Sequence, residues 1–378
     1  MAKLGEVCKV SPSTKNIERQ GAWLLNLDMV EQQTGRVIEY KYVGEDDLNG
    51  SIIQFDTENV LYSKLRPNLN KVVLPQKDGF STSELLPLRP DAGVLNRDYL
   101  AAFLRSDSFV TWAVSKTAGA KMPRLGTKDL MNAEIPVPNI EQQKTIAEKF
   151  KKLEQLISLR KQQLEKLDEL VKAQFVEMFG DEQAFNKEPL SKNVEEMFIG
   201  PFGSSLKNEN FVSKENGYCM VYEQKHAIRK TMDVETRYID KTKYEELKRF
   251  SIHGGDIIVS CRGTIGETYI VPLNAPLGIM HPSIMKIRVK DSIYNRVFFD
   301  FLLQEKLKQH EAQANGSGVK MAVTASALGK EEFIVPSIPL QNQFAAFVER
   351  VDQQKQTVQR SLEKLELMKK ALMQEYFG

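Results

Sequence analysis

Apolar residues recur at alternating spacings of three and four from Ile146 to Met178, through Phe150, Leu153, Ile157, Leu164, Leu167 and Val171. Arg160 and Gln174 fill the two slots where the apolar series is interrupted. This is a heptad seam, with strong helix formers and charges of both signs on the other faces. Helix breakers are absent between Gln142 and Gly180, and Pro136 and Pro138 stand just upstream. At about 1.5 Å per residue, the predicted helix is roughly 55–60 Å long.

The same pattern closes the chain. A shift of 198 residues carries Leu164-Glu165-Lys166-Leu167 onto Leu362-Glu363-Lys364-Leu365, and Phe179-Gly180 onto Phe377-Gly378. The second seam runs through Val348, Val351, Val358, Leu362, Leu365, Leu372 and Tyr376, with Lys355 and Lys369 in the interrupting slots. Upstream, Val137-Pro138-Asn139-Ile140 falls on Val335-Pro336-Ser337-Ile338. A repeat of nearly 200 residues is an internal duplication and not a solenoid. The off-seam apolar residues Leu156, Leu170, Val176 and Phe179 are then expected to face a partner.

Each long helix follows a globular part that mixes strand and helix patterns. In the first part GSIIQF, NVLYSKL and NKVVLP read as short strands and Asn96–Val114 as a helix. In the second, GDIIVSCRG, ETYIVPL and SIMKIRVK read as strands and Ile293–His310 as a helix. The element order matches, although identity is confined to islands. Leu61-Tyr62-Ser63 parallels Ile258-Val259-Ser260, and Lys121-Met122 parallels Lys320-Met321. The fold class expected is α+β.

Composition narrows the class. Of 378 residues 42% are hydrophobic and 27% charged, and no apolar run approaches the ~18 residues of a membrane span. The N-terminus lacks a secretory apolar core. Cys8, Cys219 and Cys261 are scattered, without CxxC spacing, which favours free thiols and a cytoplasmic location.

A net charge of +2 says little, but the distribution says more. Asn59–Lys77 holds Lys64, Arg66, Lys71 and Lys77 without an acid, and Ser108–Lys128 holds Lys116, Lys121, Arg124 and Lys128. Thr268–Lys290 holds Lys286, Arg288 and Lys290, and Ala312–Lys330 holds Lys320 and Lys330, again without acids. Two of these tracts sit just before the Val-Pro turns and are rich in small residues. Small residues let backbone approach a phosphate that Lys and Arg neutralise. The competing reading of any one tract is a solvated loop; recurrence in both halves favours contact. Two further candidate loops are Gly200-Pro201-Phe202-Gly203-Ser204-Ser205, continuing to Lys207, and Ser260-Cys261-Arg262-Gly263-Thr264-Ile265-Gly266. Both read first as turns. The candidate phosphate-backbone contacts are Lys64, Arg66, Lys71, Lys116, Lys121, Arg124, Lys128, Ser204, Lys207, Arg262, Thr264, Lys320 and Lys330.

Catalytic chemistry is missing. No phosphate loop, dinucleotide fingerprint or nucleophile elbow occurs. His226, His253, His281 and His310 are isolated from cysteine and from each other, so no metal or catalytic residue is assigned.

The duplicated proline-turn-helix resembles the specificity subunit of type I restriction–modification systems over essentially the whole chain. The carrying residues are Ile135-Pro136-Val137-Pro138-Asn139-Ile140-Glu141-Gln142-Gln143 and Val335-Pro336-Ser337-Ile338-Pro339-Leu340-Gln341-Asn342-Gln343. The Phe-Gly helix ends and the turn at Ser260 belong to the same signature. The resemblance implies two α/β target recognition domains, 1–138 and 181–337, each reading half of a split, asymmetric DNA target. The spacer helices, 139–180 and 338–378, would pack antiparallel as an intramolecular coiled coil and dock two modification (methyltransferase) subunits, which two restriction (translocase/nuclease) subunits join. S-adenosylmethionine and ATP with magnesium would belong to those partners, leaving this chain without a cofactor. The alternatives are a self-contained adenine methyltransferase, whose Asn-Pro-Pro-aromatic motif is absent, and a structural coiled-coil scaffold.

Overall fold

The computed structural model describes residues 1–19, 21–44, 48, 52–119, 121–262, 264–317 and 324–378, with only the backbone of 311–317. The chain divides into two compact units, Met1–Leu164 with Thr357–Gly378, and Glu165–Gln356. Each long helix is therefore divided between the two units. Both helices have 40 residues, Ile140–Phe179 and Ile338–Phe377.

In the first unit two four-stranded sheets carry the recognition part. One runs Cys8–Val10, Leu85–Pro90, Val60–Ser63, Val72–Val73; the other runs Lys41–Val43, Ala22–Leu25, Gly79–Thr82, Ile52–Phe55. In the second unit the corresponding orders are Val194–Ile199, Ile284–Val289, Ile257–Ser260, Thr268–Ile270 and Tyr238–Ile239, Cys219–Tyr222, Gly278–Met280, Ser251–Ile252. Each second sheet has a parallel pair in the same place, Leu24 beside Phe80 and Val221 beside Ile279. Central registers agree as well, with Val60 opposite Leu88 and Ile257 opposite Ile287. The duplication thus extends through regions where sequence similarity has faded. Many of these strands carry no period-two signal because they are buried on both faces, as in Cys-Met-Val-Tyr at Cys219–Tyr222.

The helix expected over Asn96–Val114 is two helices, Arg97–Leu104 and Asp107–Ser115. Ser106 starts the second by accepting a hydrogen bond from the Phe109 N–H at 3.3 Å, while its hydroxyl donates to the Phe103 carbonyl at 2.7 Å. In the second unit Arg296–Ser317 runs unbroken.

A buried glutamine fastens each long helix to its recognition part. Gln143 Nε2 donates to the carbonyls of Val94 (2.9 Å) and Pro138 (2.8 Å), and its Oε1 accepts from the Asn96 N–H at 2.8 Å. Gln341 repeats this on Ile293 (2.9 Å), Pro336 (2.8 Å) and the Asn295 N–H (2.9 Å). Both side chains are fully enclosed. These backbone groups lie at turns and helix starts, which lack partners of their own.

The seam residues pack as the heptads require. Phe150, Leu153, Leu167, Val171, Val351, Val358 and Leu362 are buried, and Ile157, Leu164, Val348, Leu365 and Leu372 are half-buried. Within the first unit the start of the first helix meets the end of the second, with Phe150 stacked on Phe377 at 5.8 Å. Within the second unit Phe175 and Phe179 pack on Phe344. Both pairings are antiparallel. The interrupting lysines make ion pairs across the helices, Lys369 to Glu154 (2.9 Å) and Lys355 to Asp168 (2.5 Å). Glu154 also receives Arg105 at 3.1 Å. Burial works against its charge, but Arg105 and Lys369 outweigh that and hold its carboxyl below the usual range.

One expectation about the helix surface is overturned. Leu156, Leu170 and Val176 are exposed, but Phe179 is 1% exposed and packs on Phe298 and Phe344. At this end the neighbour includes the Arg296–Ser317 helix, so the buried face departs from the strict heptad. Phe377 and Met373, which are buried beside half-buried Tyr376 and Leu372, show the same slip.

Candidate nucleic-acid interface

In the first unit the rim begins where Val60–Ser63 ends. Buried Ser63 donates its N–H to Lys71 O (3.0 Å) and its hydroxyl to Leu65 O (2.9 Å), turning the chain sharply. Arg66 sits in the left-handed region at φ 49° and donates its N–H to Pro123 O at 2.8 Å. Leu125 N–H donates to Lys64 O at 2.9 Å, and Lys64 N–H to Glu84 O at 3.2 Å. Two acid-free tracts that are distant in sequence are thereby laced together. Lys64, Lys116 and Arg124 line one open cleft of about 570 Å³, floored by Gly119, Gly126 and Thr127. Arg66, Lys121 and Lys128 are exposed on the same segments.

The cations are not equivalent. Arg124 is held by Glu84 at 3.0 Å, and Asp129 also lines the cleft. Lys71 turns inward and donates to Leu27 O at 2.5 Å. Burial pushes its pKa down, against the pull of Asp28. Lys77 lies in the bend after the strand Val72–Val73, over the rings of Tyr40 and Tyr42. Among the described residues no salt-bridge partner meets Lys64, Arg66, Lys116, Lys121 or Lys128.

The equivalent rim of the second unit is formed by loops leaving one end of adjacent strands. Val194–Ile199 pairs with Ile284–Val289, which pairs with Ile257–Ser260. Buried Ser260 closes the loop after it, accepting from the Gly266 N–H at its carbonyl (2.9 Å) and from the Glu267 N–H at its hydroxyl (3.0 Å). Arg262 and Thr264 are exposed at its tip; Gly263 lies outside the described residues. Cys261 N–H donates to Ser283 O at 2.9 Å, which brings this loop beside His281. Ser204 and Lys207 are exposed on the loop after Ile199, with Lys207 3.9 Å from Glu209. Lys330 is exposed at the end of the helix Ala325–Lys330, and Lys320 falls outside the described residues.

The cations of the tract Thr268–Lys290 are engaged within the fold, which its acid-free sequence does not reveal. Lys286 is buried and pairs with Glu196 at 2.6 Å, and Arg288 pairs with buried Asp256 at 2.7 Å. Lys290 donates to Lys192 O at 2.6 Å. The neutralising acids come from other strands, so a scan along the chain cannot see them. The first unit repeats the arrangement with Arg89 on buried Asp56 at 2.6 Å.

The same blindness hid a cluster. Lys225 and Arg237 both pair with Glu223 at the end of Cys219–Tyr222, and Arg237 covers Phe211 at 4.0 Å. His281 N–H donates to Tyr222 O at 2.9 Å, joining this group to the rim. Burial lowers the His281 pKa; Glu223 opposes that, and Arg237, Arg262 and Lys225 reinforce it. Acids flank these cations in sequence, so only spatial adjacency reveals them. Cys8 is buried, and burial pushes its thiol up to about 12. No helix among the described residues is long and apolar enough to cross a membrane.

A family profile described as the type I restriction modification DNA specificity domain matches residues 1–169 and 193–367. The EcoDI type I restriction enzyme specificity subunit of Escherichia coli is 26% identical over 124 residues, covering 33% of this chain and only 27% of that protein. A putative MjaX specificity subunit of Methanocaldococcus jannaschii is 22% identical over 298 residues, covering 76% of this chain and 69% of that one. Two solved chains share the fold. One, from work on complex assembly and conformational transition of a type I restriction–modification system, gives a TM-score of 0.62 at 15% identity, covering 100% of this chain and 96% of its own. The other, a type I restriction–modification S subunit from M. genitalium, gives 0.59 at 16% identity, with coverages of 100% and 95%. With the profile matching both halves of the duplication, the chain belongs to the type I restriction modification DNA specificity domain family.

Proposed function

We propose that this chain is the non-catalytic DNA-recognition subunit of a type I restriction–modification complex, reading a bipartite, asymmetric target with one recognition part per half-site. The observation that carries the reading is the repeated rim: at the same end of equivalent sheets, sequence-divergent loops carry half-buried Lys64 and exposed Arg66 in one unit and exposed Arg262 and Thr264 in the other. Such cations neutralise phosphates and release counterions, which sets register and affinity. Loop side chains between them meet base edges, and divergent loops suit two different half-sites. Helices of 40 residues, about 60 Å at 1.5 Å per residue, set the half-site separation and offer Leu156, Leu170 and Val176 to methyltransferase subunits. Restriction subunits complete the assembly. S-adenosylmethionine and ATP with magnesium act on those partners.

The test is reconstitution with a type I methyltransferase subunit and S-adenosylmethionine, followed by mapping of methylated adenines. Methylation of a split sequence that requires both proteins is expected. Methylation by this chain alone would make it a self-contained enzyme. No salt-sensitive DNA binding even with the partner would leave only a scaffold.

A further inference from the structure

Phe202 is the most exposed large apolar side chain among the described residues, at 87%. The loop that carries it is nevertheless firmly held. Gly200 N–H donates to Ile284 O at 3.0 Å, and a Cβ at Gly200 would stand 2.3 Å from His281 O. Pro201 is buried, Ser205 N–H donates to Phe202 O at 2.8 Å, and Leu206 anchors the far side in a core with Val221 and Ile279. A side chain built at position 203 would meet nothing within 4 Å, so the ring projects beside open space. Held on this turn, the phenyl ring forgoes the favourable removal of its apolar surface from water, and at this exposure it makes little contact with the other described residues.

The loop leaves the sheet at the same end as the loops holding Arg262 and His281, because their strands are immediate neighbours. Cations there draw the phosphate backbone to the rim, and an apolar ring beside them meets the bases. Resting on the DNA-recognition reading above, we infer that Phe202 is an apolar wedge, inserted at a base step of the half-site read by the Glu165–Gln356 unit. At this position the first unit shows no counterpart among the described residues. Its equivalent loop is Ser11-Pro12-Ser13, where Ser13 is buried and its hydroxyl donates to Asp56 at 2.7 Å. The wedge therefore unstacks one half-site and leaves the other stacked.

The experiment uses the assembled complex with methyltransferase subunits and duplexes of its mapped target, carrying 2-aminopurine at successive positions of either half-site. At positions other than the methylated adenines, which methyltransferases extrude from the stack, wild type should brighten 2-aminopurine in one half-site only. Phe202→Ala should abolish that signal and weaken specific binding about tenfold or more, the scale of one lost base–aromatic contact. Non-specific affinity and the salt slope should not change, because no phosphate contact is removed. Phe202→Leu, still an apolar wedge, should keep part of the signal. Wild-type-like affinity and fluorescence in Phe202→Ala would overturn the wedge. Loss of the methyltransferase subunits on gel filtration of that variant would also overturn it, by making the ring a protein contact. A wild-type complex without sequence preference would instead overturn the recognition reading itself.

Discussion

Replacing Gln143 by Leu tests how the recognition part is coupled to its spacer helix. The side chain is fully enclosed and makes three hydrogen bonds, to Val94 O, Pro138 O and the Asn96 N–H, at 2.8–2.9 Å. Leucine keeps the volume but leaves two carbonyls and one amide buried without partners. At about 1 kcal/mol for each net bond, and more for a stranded buried group, the loss is about 3–5 kcal/mol. Both tryptophans, Trp23 and Trp112, lie in the first unit, so fluorescence during urea unfolding reports that unit. With a urea slope near 2 kcal/mol/M, the tryptophan midpoint should fall by about 1.5–2.5 M. Gln341→Leu removes the same three bonds in the second unit, so it should move the circular dichroism transition and leave the tryptophan midpoint nearly in place. A shift below about 0.5 M in Gln143→Leu, or a tryptophan shift as large for Gln341→Leu, would refute the claim that each glutamine secures its own unit.

Other perturbations separate structural from contacting charges. Lys64→Glu or Arg66→Glu should weaken DNA binding by the assembled complex at least about tenfold and flatten its salt dependence. Lys71→Met should destabilise the first unit and leave the salt slope unchanged; a changed slope would restore Lys71 as a phosphate contact. Glu154, with a carboxyl held low by Arg105 and Lys369, stabilises the fold above its ordinary value of 4.5 and loses that contribution as pH falls through its lower native value. Glu154→Gln should therefore flatten the acid limb of the stability curve, and an unchanged acid limb would rule the triad out as its source. Buried Cys8 should resist alkylation at pH 8 until urea opens the unit, because burial keeps its thiol protonated.

How much of the molecule was legible in the chain follows from which interactions are local. Heptad spacing, the proline-bounded helix starts and the internal repeat are all local or periodic, so they placed the two 40-residue helices and the α+β class without any coordinates. The tracts around Lys64 and Lys121 were legible for the same reason. Many strands were not. Segments such as Ala22–Leu25 and Cys219–Tyr222 are short and enclosed on both faces, so alternation is absent and sheet order depends on partners far away in sequence.

Charge made the distinction sharpest. Along the chain Lys286 and Arg288 look as free as Lys64, yet tertiary pairing with Glu196 and Asp256 spends them inside the fold. Conversely, the outward ring of Phe202 joins the rim only because three neighbouring strands end together, and Lys225 and Arg237 join it only because His281 N–H donates to Tyr222 O. Phe179 lies off the heptad seam in sequence, but the neighbour at its end of the helix is the Arg296–Ser317 helix, against which it is buried. Periodicity is a property of one segment and can be read from that segment alone. Coulomb pairing and burial depend on distances between segments, and only the folded chain sets those distances.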